Sequence, residues 1–175
     1  MKPALVVIDL QNGFLNDESR AVVPAILQAI RFFRDRSWPI FATRFRNRAG
    51  SGYEKWIGWQ RLRTSPEIDL CDEIAELELP VFDKFGYSSF TKEVKEWIGV
   101  HAIEELVCCG IATEGCVLKT AVDAFEANLE PIVITDACAS HAGRVAHDAG
   151  LLVLSRFIGE RQLIDVDHLP VRFEE

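Results

Sequence analysis

Covalent chemistry in this chain has its best-placed candidate at Cys116, within GIATEGCVLKTAVDAF, Gly110 to Phe125. The apolar run Leu106-Val107-Cys108-Cys109 leads in and predicts a buried strand. Gly110 ends that run, Thr113-Glu114-Gly115 makes a short polar turn, and Cys116 is expected to open a helix. Val117, Ala121, Ala124 and Phe125 repeat at helical spacing, with Lys119, Asp123 and Glu126 on other faces. A cysteine at a strand-to-helix turn meets the partial positive charge of the first N–H groups, which favours thiolate over thiol. Thiolate is the nucleophilic form. Four further cysteines read as small buried hydrophobes: Cys108 and Cys109 within the strand, and Cys71 and Cys138 elsewhere.

A nucleophile of this kind needs a base and a cation. Asp9 directly follows Ala4-Leu5-Val6-Val7-Ile8, a continuous apolar run that reads as a central parallel strand. A carboxylate there is costly unless it is paired or used. Lys84 follows Leu79-Pro80-Val81-Phe82, a short strand, and has Phe82, Phe85 and Tyr87 around it. Asp9, Lys84 and Cys116 therefore each follow an apolar strand. In a parallel sheet the strands' carboxyl ends share one edge, so the three can meet there. Lys84 as an ammonium would lower the Cys116 thiol, and Asp9 would take its proton and return it to a leaving amine. Backbone N–H groups of the 112–116 turn can receive the oxyanion.

The elements that must position these residues alternate between strand and helix. A stripe at Val22, Ile26, Ile30 and Phe33 predicts a helix to about Arg36, ended by Trp38-Pro39, and residues 39–43 read as a second strand. Ser65 is expected to cap a short helix with Pro66 in its first turn, running to about Glu76. Ser88 or Ser89 is expected to cap another, toward Ile98. Residues 131–135 read as a buried strand, after which Asp136 is a structural acid. Arg144 to about Phe157 reads as a helix despite Gly150, although Leu151-Leu152-Val153-Leu154 fits a strand equally well, and residues 162–166 read as a last edge strand. The pattern implies an α/β fold: three layers, α/β/α, around a doubly wound, mostly parallel sheet.

The chain's 175 residues suit one domain, 1–175. With 49% hydrophobic residues the chain is globular, and its net charge of -8 argues against nucleic acid. No run approaches the ~20 apolar residues of a membrane span. Five cysteines without a C-x-x-C pair, and no secretory signal, point to a reduced, cytoplasmic compartment. No G-x-G-x-x-G follows the first strand, which argues against a dinucleotide.

Residues 44–63 carry Arg44, Arg46, Arg48, Lys55, Arg61 and Arg63 against one acid, Glu54, with Tyr53, Trp56, Ile57 and Trp59 among them. This arm reads equally as a lid that binds an anionic, carboxylate-bearing small molecule and as a subunit interface. RNA is a distant third. Arg46, Trp59 and Arg61 are substrate-binding candidates, as are Phe14 in the loop after the first strand and Tyr87 beside Lys84.

VVIDLQNGFL, FDKFGYSSF and GIATEGCV together resemble the isochorismatase-like cysteine hydrolases, which include nicotinamidases and carbamoyl amidases. The resemblance covers nearly the whole chain. It implies an Asp9-Lys84-Cys116 triad, a cis peptide at Ile111-Ala112, an oxyanion hole from the Ala112 and Cys116 N–H groups, and a homo-oligomer, dimer or higher. Nicotinamidases also carry Asp-x-His and a later His after the second strand to hold a metal. Arg44-Phe45-Arg46 stands at that place here, and His101, His141, His147 and His168 lie far downstream as ordinary surface or helix residues. The expectation is a site without metal or other cofactor. Isochorismatases proper cleave a vinyl ether and need no nucleophilic cysteine, so Cys116 favours an amide or ureido substrate attacked through a thioester. Two alternatives remain: ether hydrolysis led by Asp9, and a non-catalytic thiol sensor in which Cys116 is oxidised.

Overall fold

Strand β1 (Pro3–Ile8) is buried at every position, because its apolar residues face helical layers on both sides of a sheet. The computed structural model describes residues 1–174. Beside β1 lie β2 (Ile40–Phe45), β3 (Val81–Lys84), β4 (Glu105–Ile111), β5 (Glu130–Ala139) and β6 (Leu163–Ile164). Their order across the sheet is β3-β2-β1-β4-β5-β6, and every neighbouring pair is parallel. The helices are α1 (Asp17–Arg20), α2 (Val23–Asp35), α3 (Gly52–Ile57), α4 (Asp72–Ala75), α5 (Lys92–His101), α6 (Leu118–Glu126), α7 (Arg144–Phe157) and α8 (Leu169–Glu174). Among the described residues no helix is long and apolar enough to cross a membrane.

The two-residue period of the strands divides the core. Leu5, Val7, Ala42, Val107 and Ile132 point to one face and pack with Ile26, Ile30 and Phe33 of α2. Ala4, Val6, Ile8, Leu106 and Val133 point to the other and pack with Val94 and Ile98 of α5, Ala121 and Ala124 of α6, and Leu154 of α7. This is the expected three-layer, doubly wound α/β/α sheet. The chain order reverses between β1 and β4, which opens a crevice at their carboxyl ends.

Local boundaries differ from expectation where tertiary contacts outweigh local signals. Gly110 does not end β4, which runs on to Ile111. Its φ is +122°, and a Cβ there would lie 2.1 Å from the Ile8 carbonyl oxygen, so only glycine lets β4 lie this close to β1. The Ser65-Pro66 bond is cis and starts no helix; α4 begins at Asp72. Helix α5 is capped by the Thr91 hydroxyl, which accepts from Val94 N, rather than by Ser88 or Ser89. β3 extends through Asp83 to Lys84, two residues beyond the expected Phe82, with Lys84 at the strand's end. β5 runs to Ala139, beyond the expected Thr135, and only Leu163–Ile164 pair at the sheet edge. Asp136 is structural, as expected: its Oδ1 accepts from Val166 N at 2.8 Å. The Leu151–Leu154 ambiguity resolves to helix, since α7 spans Arg144–Phe157.

Candidate active site

Asp9, Lys84 and Cys116 come from the ends of β1, β3 and β4 and meet below a single cavity. Lys84 Nζ lies 2.7 Å from Asp9 Oδ2. It donates to Cys116 Sγ at 3.3 Å and to the carbonyl oxygens of Gly86 and Tyr87, each at 2.9 Å. Asp9 Oδ1 accepts from the Thr43 hydroxyl at 2.8 Å. Asp9 adopts a left-handed backbone, φ +50°, at the step from strand to loop, a conformation short polar residues tolerate best. Both charged side chains are out of water, which is tolerable because they neutralise each other and are hydrogen-bonded.

Cys116 does not open a regular helix. It sits in a π-helical turn, Thr113–Val117, in which Val117 N donates to Ala112 O at 3.1 Å; α6 starts only at Leu118. The Ile111-Ala112 peptide is cis, as the sequence resemblance implies. The expectation of a depressed thiol is corrected. Burial, reinforced by the Asp9 carboxylate, pushes the Cys116 thiol up to about 12, and Lys84 offsets this only in part. Burial alone would lower the Lys84 ammonium, but Asp9 and Cys116 together raise it, so it stays charged. Both directions favour the thiol form of Cys116 beside the Lys84 ammonium. Moving the thiol proton to Asp9 would carry the negative charge to Sγ while Lys84 still compensates it. The buried net charge stays zero throughout, which avoids the cost of an isolated buried ion.

The cavity has a volume of about 440 Å³ and a largely aromatic wall. Phe14, Trp59 and Tyr87 line it, and Phe14 stacks on Trp59 with centroids 5.6 Å apart. Arg46 and Arg61 do not line it. Arg46 pairs with Asp83 at 3.1 Å, together with Arg44 at 2.6 Å, and Arg61 pairs with Glu67 at 2.8 Å. Arg63 pairs with Glu54. Four of the arm's six cations, Arg44, Arg46, Arg61 and Arg63, are thus paired with acids within the chain, and Tyr53, Ile57 and Trp59 are the arm residues that line the cavity. The sequence reading missed Phe45 and Tyr53, which pack at 4.9 Å, and also Glu114, Lys119 and His141. Burial and the neighbouring Cys116 hold the Tyr53 phenol well above its usual value. His141, taken for an ordinary histidine, packs against Phe14 at 5.0 Å. It follows the carboxyl end of β5, so the strand-end rule that selected the other three residues also reaches it. His147 is buried, with Nδ1 2.7 Å from the Thr113 hydroxyl, and supports the Cys116 turn from behind.

The sequence model of the isochorismatase domain family matches residues 3–161. The chain belongs to this family. A curated relative, nicotinamidase 3 of Arabidopsis thaliana, is 28% identical over 95% of this chain and 86% of its own. The crystal structure of N-carbamoylsarcosine amidase from Thermoplasma acidophilum matches with a TM-score of 0.82 and 25% identity, over 95% of this chain and 98% of that one. An isochorismatase-like hydrolase from Alkaliphilus metalliredigens matches over 100% of both chains with a TM-score of 0.85 and 21% identity, a likeness of fold.

This isochorismatase-family chain lacks the donor set for the nicotinamidase metal. Arg44 and Arg46 stand where that motif would be, both held on Asp83. Among the described residues, no three His, Cys, Asp or Glu side chains gather as a metal ion would require. The residues present do not fit the group.

Proposed function

We propose that this isochorismatase-family hydrolase cleaves a C–N bond, amide or carbamoyl, of a small molecule through a thioester on Cys116. The observation that carries this reading is the contact of Lys84 Nζ with both Cys116 Sγ, at 3.3 Å, and Asp9 Oδ2, at 2.7 Å, at the base of the cavity. Asp9 takes the thiol proton as Sγ attacks the substrate carbonyl. The oxyanion is received by the N–H groups of Ala112 and Cys116. Asp9 then gives its proton to the departing nitrogen, an acyl or carbamoyl thioester remains on Cys116, and a water activated by Asp9 hydrolyses it. The two amidase relatives support the C–N assignment. The burial of Cys116, 7% exposed, speaks against the sensor alternative, which calls for an accessible thiol.

Arg46 and Arg61, the two arginines singled out for a substrate carboxylate, are engaged with Asp83 and Glu67 outside the cavity. The test is intact-mass spectrometry on enzyme quenched during turnover of an amide and ureide panel. The expected result is an acyl adduct mapped to Cys116, with Cys116→Ala folded and inactive. An active Cys116→Ala protein would move the reading to ether hydrolysis led by Asp9.

A further inference from the structure

Helix α7 turns a buried stripe toward the turn that carries Cys116. The buried residues of that helix are His147, Gly150 and Leu154, at helical spacing along one face. Leu154 packs into the core, and Gly150 leaves room for the turn's backbone, since a Cβ there would meet Glu114 N at 2.7 Å and Thr113 C at 3.0 Å. His147 is the polar member of the stripe. A histidine on a buried face is costly unless its ring finds a partner. The partner is on the turn: His147 Nδ1 lies 2.7 Å from the hydroxyl of Thr113, itself buried.

Satisfying both groups decides which of them donates. Among the described residues the Thr113 hydroxyl has His147 as its hydrogen-bond partner, so Nδ1 is the acceptor on offer for its hydrogen. A proton on Nδ1 would strand that hydrogen in the interior. A proton on Nε2, with Nδ1 accepting, strands nothing. The ring must be neutral to do this. Burial first, and Arg144 second, hold the His147 imidazolium below its ordinary range, while Asp148 and Glu114 pull the other way.

The turn needs such a tie. It has no side-chain cap, and two of its backbone N–H groups, Gly115 and Val117, converge on the Ala112 carbonyl at 3.0 and 3.1 Å. Those bonds shape the turn from within. Side chains bind it to the layer behind: Thr113 to α7, and Glu114 Oε1 to the Ser140 hydroxyl at 2.6 Å. The same turn has to keep Cys116 Sγ 3.3 Å from Lys84 Nζ. We infer that His147 is a positioning residue: by accepting the Thr113 hydroxyl it anchors the turn to α7 and so holds the Cys116 thiol in its buried place against Lys84. This rests on Cys116 as the nucleophile and adds a residue outside the Asp9-Lys84-Cys116 cluster that sets its geometry.

The thiol itself reports on this without any substrate. Unsubstituted protein, His147→Leu, His147→Asn and Thr113→Val are treated with iodoacetamide at about pH 8, below the ordinary thiol value. Mass spectrometry times the adduct at each of the five cysteines. Leu fills the space without an acceptor, Asn puts an oxygen close to the place of Nδ1, and Thr113→Val removes the bond from the other side. Thr113→Val also keeps the inference testable where His147→Leu fails to fold, as a thermal melt would reveal. The expected result is that Cys116 alkylation accelerates about ten-fold or more in His147→Leu and Thr113→Val, the scale of a buried hydrogen bond lost. His147→Asn should return most of the way to the unsubstituted rate, and Cys71, Cys108, Cys109 and Cys138 should stay as slow as before. An unchanged Cys116 rate in Thr113→Val, an Asn variant as fast as the Leu variant, or equal acceleration at all five cysteines, which is general loosening, overturns the inference. The hydrolase reading is judged separately, on the acyl adduct formed during turnover, and the two can fail independently.

Discussion

Lys84 Nζ lies 2.7 Å from Asp9 Oδ2, with the two side chains 1% and 0% exposed. An ion pair this dry is held together less by net stabilisation than by the cost of leaving either ion alone. Three further contacts, to Gly86 O, Tyr87 O and Cys116 Sγ, spread the ammonium charge and leave it facing the thiol.

Removing one partner should therefore cost more than removing both. Lys84→Met strands the Asp9 carboxylate and is expected to destabilise the fold by about 3–5 kcal/mol. Lys84→Met combined with Asp9→Asn should recover a good part of that loss, while activity stays absent in both. Urea denaturation of the two variants checks this; additive losses would contradict the coupling.

The buried thiols set an alkaline limit. Burial raises Cys116 and Cys138 to about 12 and Cys71 to about 11, from an ordinary value of 9.0. Above pH 9 the unfolded chain releases these protons and the folded chain keeps them, so the unfolded state gains. Their contribution is fully present below pH 9 and is lost progressively as pH rises to about 12. Melting temperature should fall steadily over that window, and Cys116 alkylation by iodoacetamide should accelerate with pH with no plateau below pH 10. An alkylation plateau near pH 7 would mean a resting thiolate and would falsify the neutral-thiol arrangement.

Gly150 lies inside α7 for a reason outside α7. A Cβ there would meet Glu114 N at 2.7 Å and Glu114 Cα at 2.8 Å, backbone atoms that cannot swing aside. Gly150→Ala improves helix propensity by about 1 kcal/mol in isolation. Here it is expected to push α7 off the turn that carries Cys116, lowering kcat ten-fold or more without raising Tm. A variant with a higher Tm and full activity would show that the contact is not limiting.

The arginines of the 44–63 arm should matter little to the substrate. Arg46→Ala and Arg61→Ala each remove a solvent-exposed ion pair worth no more than ~1 kcal/mol. KM for any substrate is expected to stay within about two-fold of the unsubstituted enzyme, whereas Trp59→Ala, which removes the ring stacked on Phe14, should raise it clearly. A ten-fold KM increase confined to acidic substrates in Arg46→Ala would restore the lid reading.

Much of this protein was determined by its sequence alone. The continuous apolar runs before Asp9 and Cys116 are the central strands β1 and β4, and the run before Lys84 is β3 at the sheet edge. Parallel strands bring their carboxyl ends to one edge, so fold class and reacting cluster follow from one pattern. Tertiary structure decided the rest, because it depends on contacts between residues far apart in the chain. Lys84 and Cys116 are 32 positions apart, and whether burial or Lys84 governs the thiol depends on how completely water is excluded. The partners of Arg46 and Arg61 are Asp83 and Glu67, and a count of charges in a segment cannot reveal them. The role of Gly150 is likewise invisible in α7, since the atoms it makes room for belong to Glu114. Local pattern fixes which residues are buried and which lie at strand ends; long-range packing fixes what each polar group finds there.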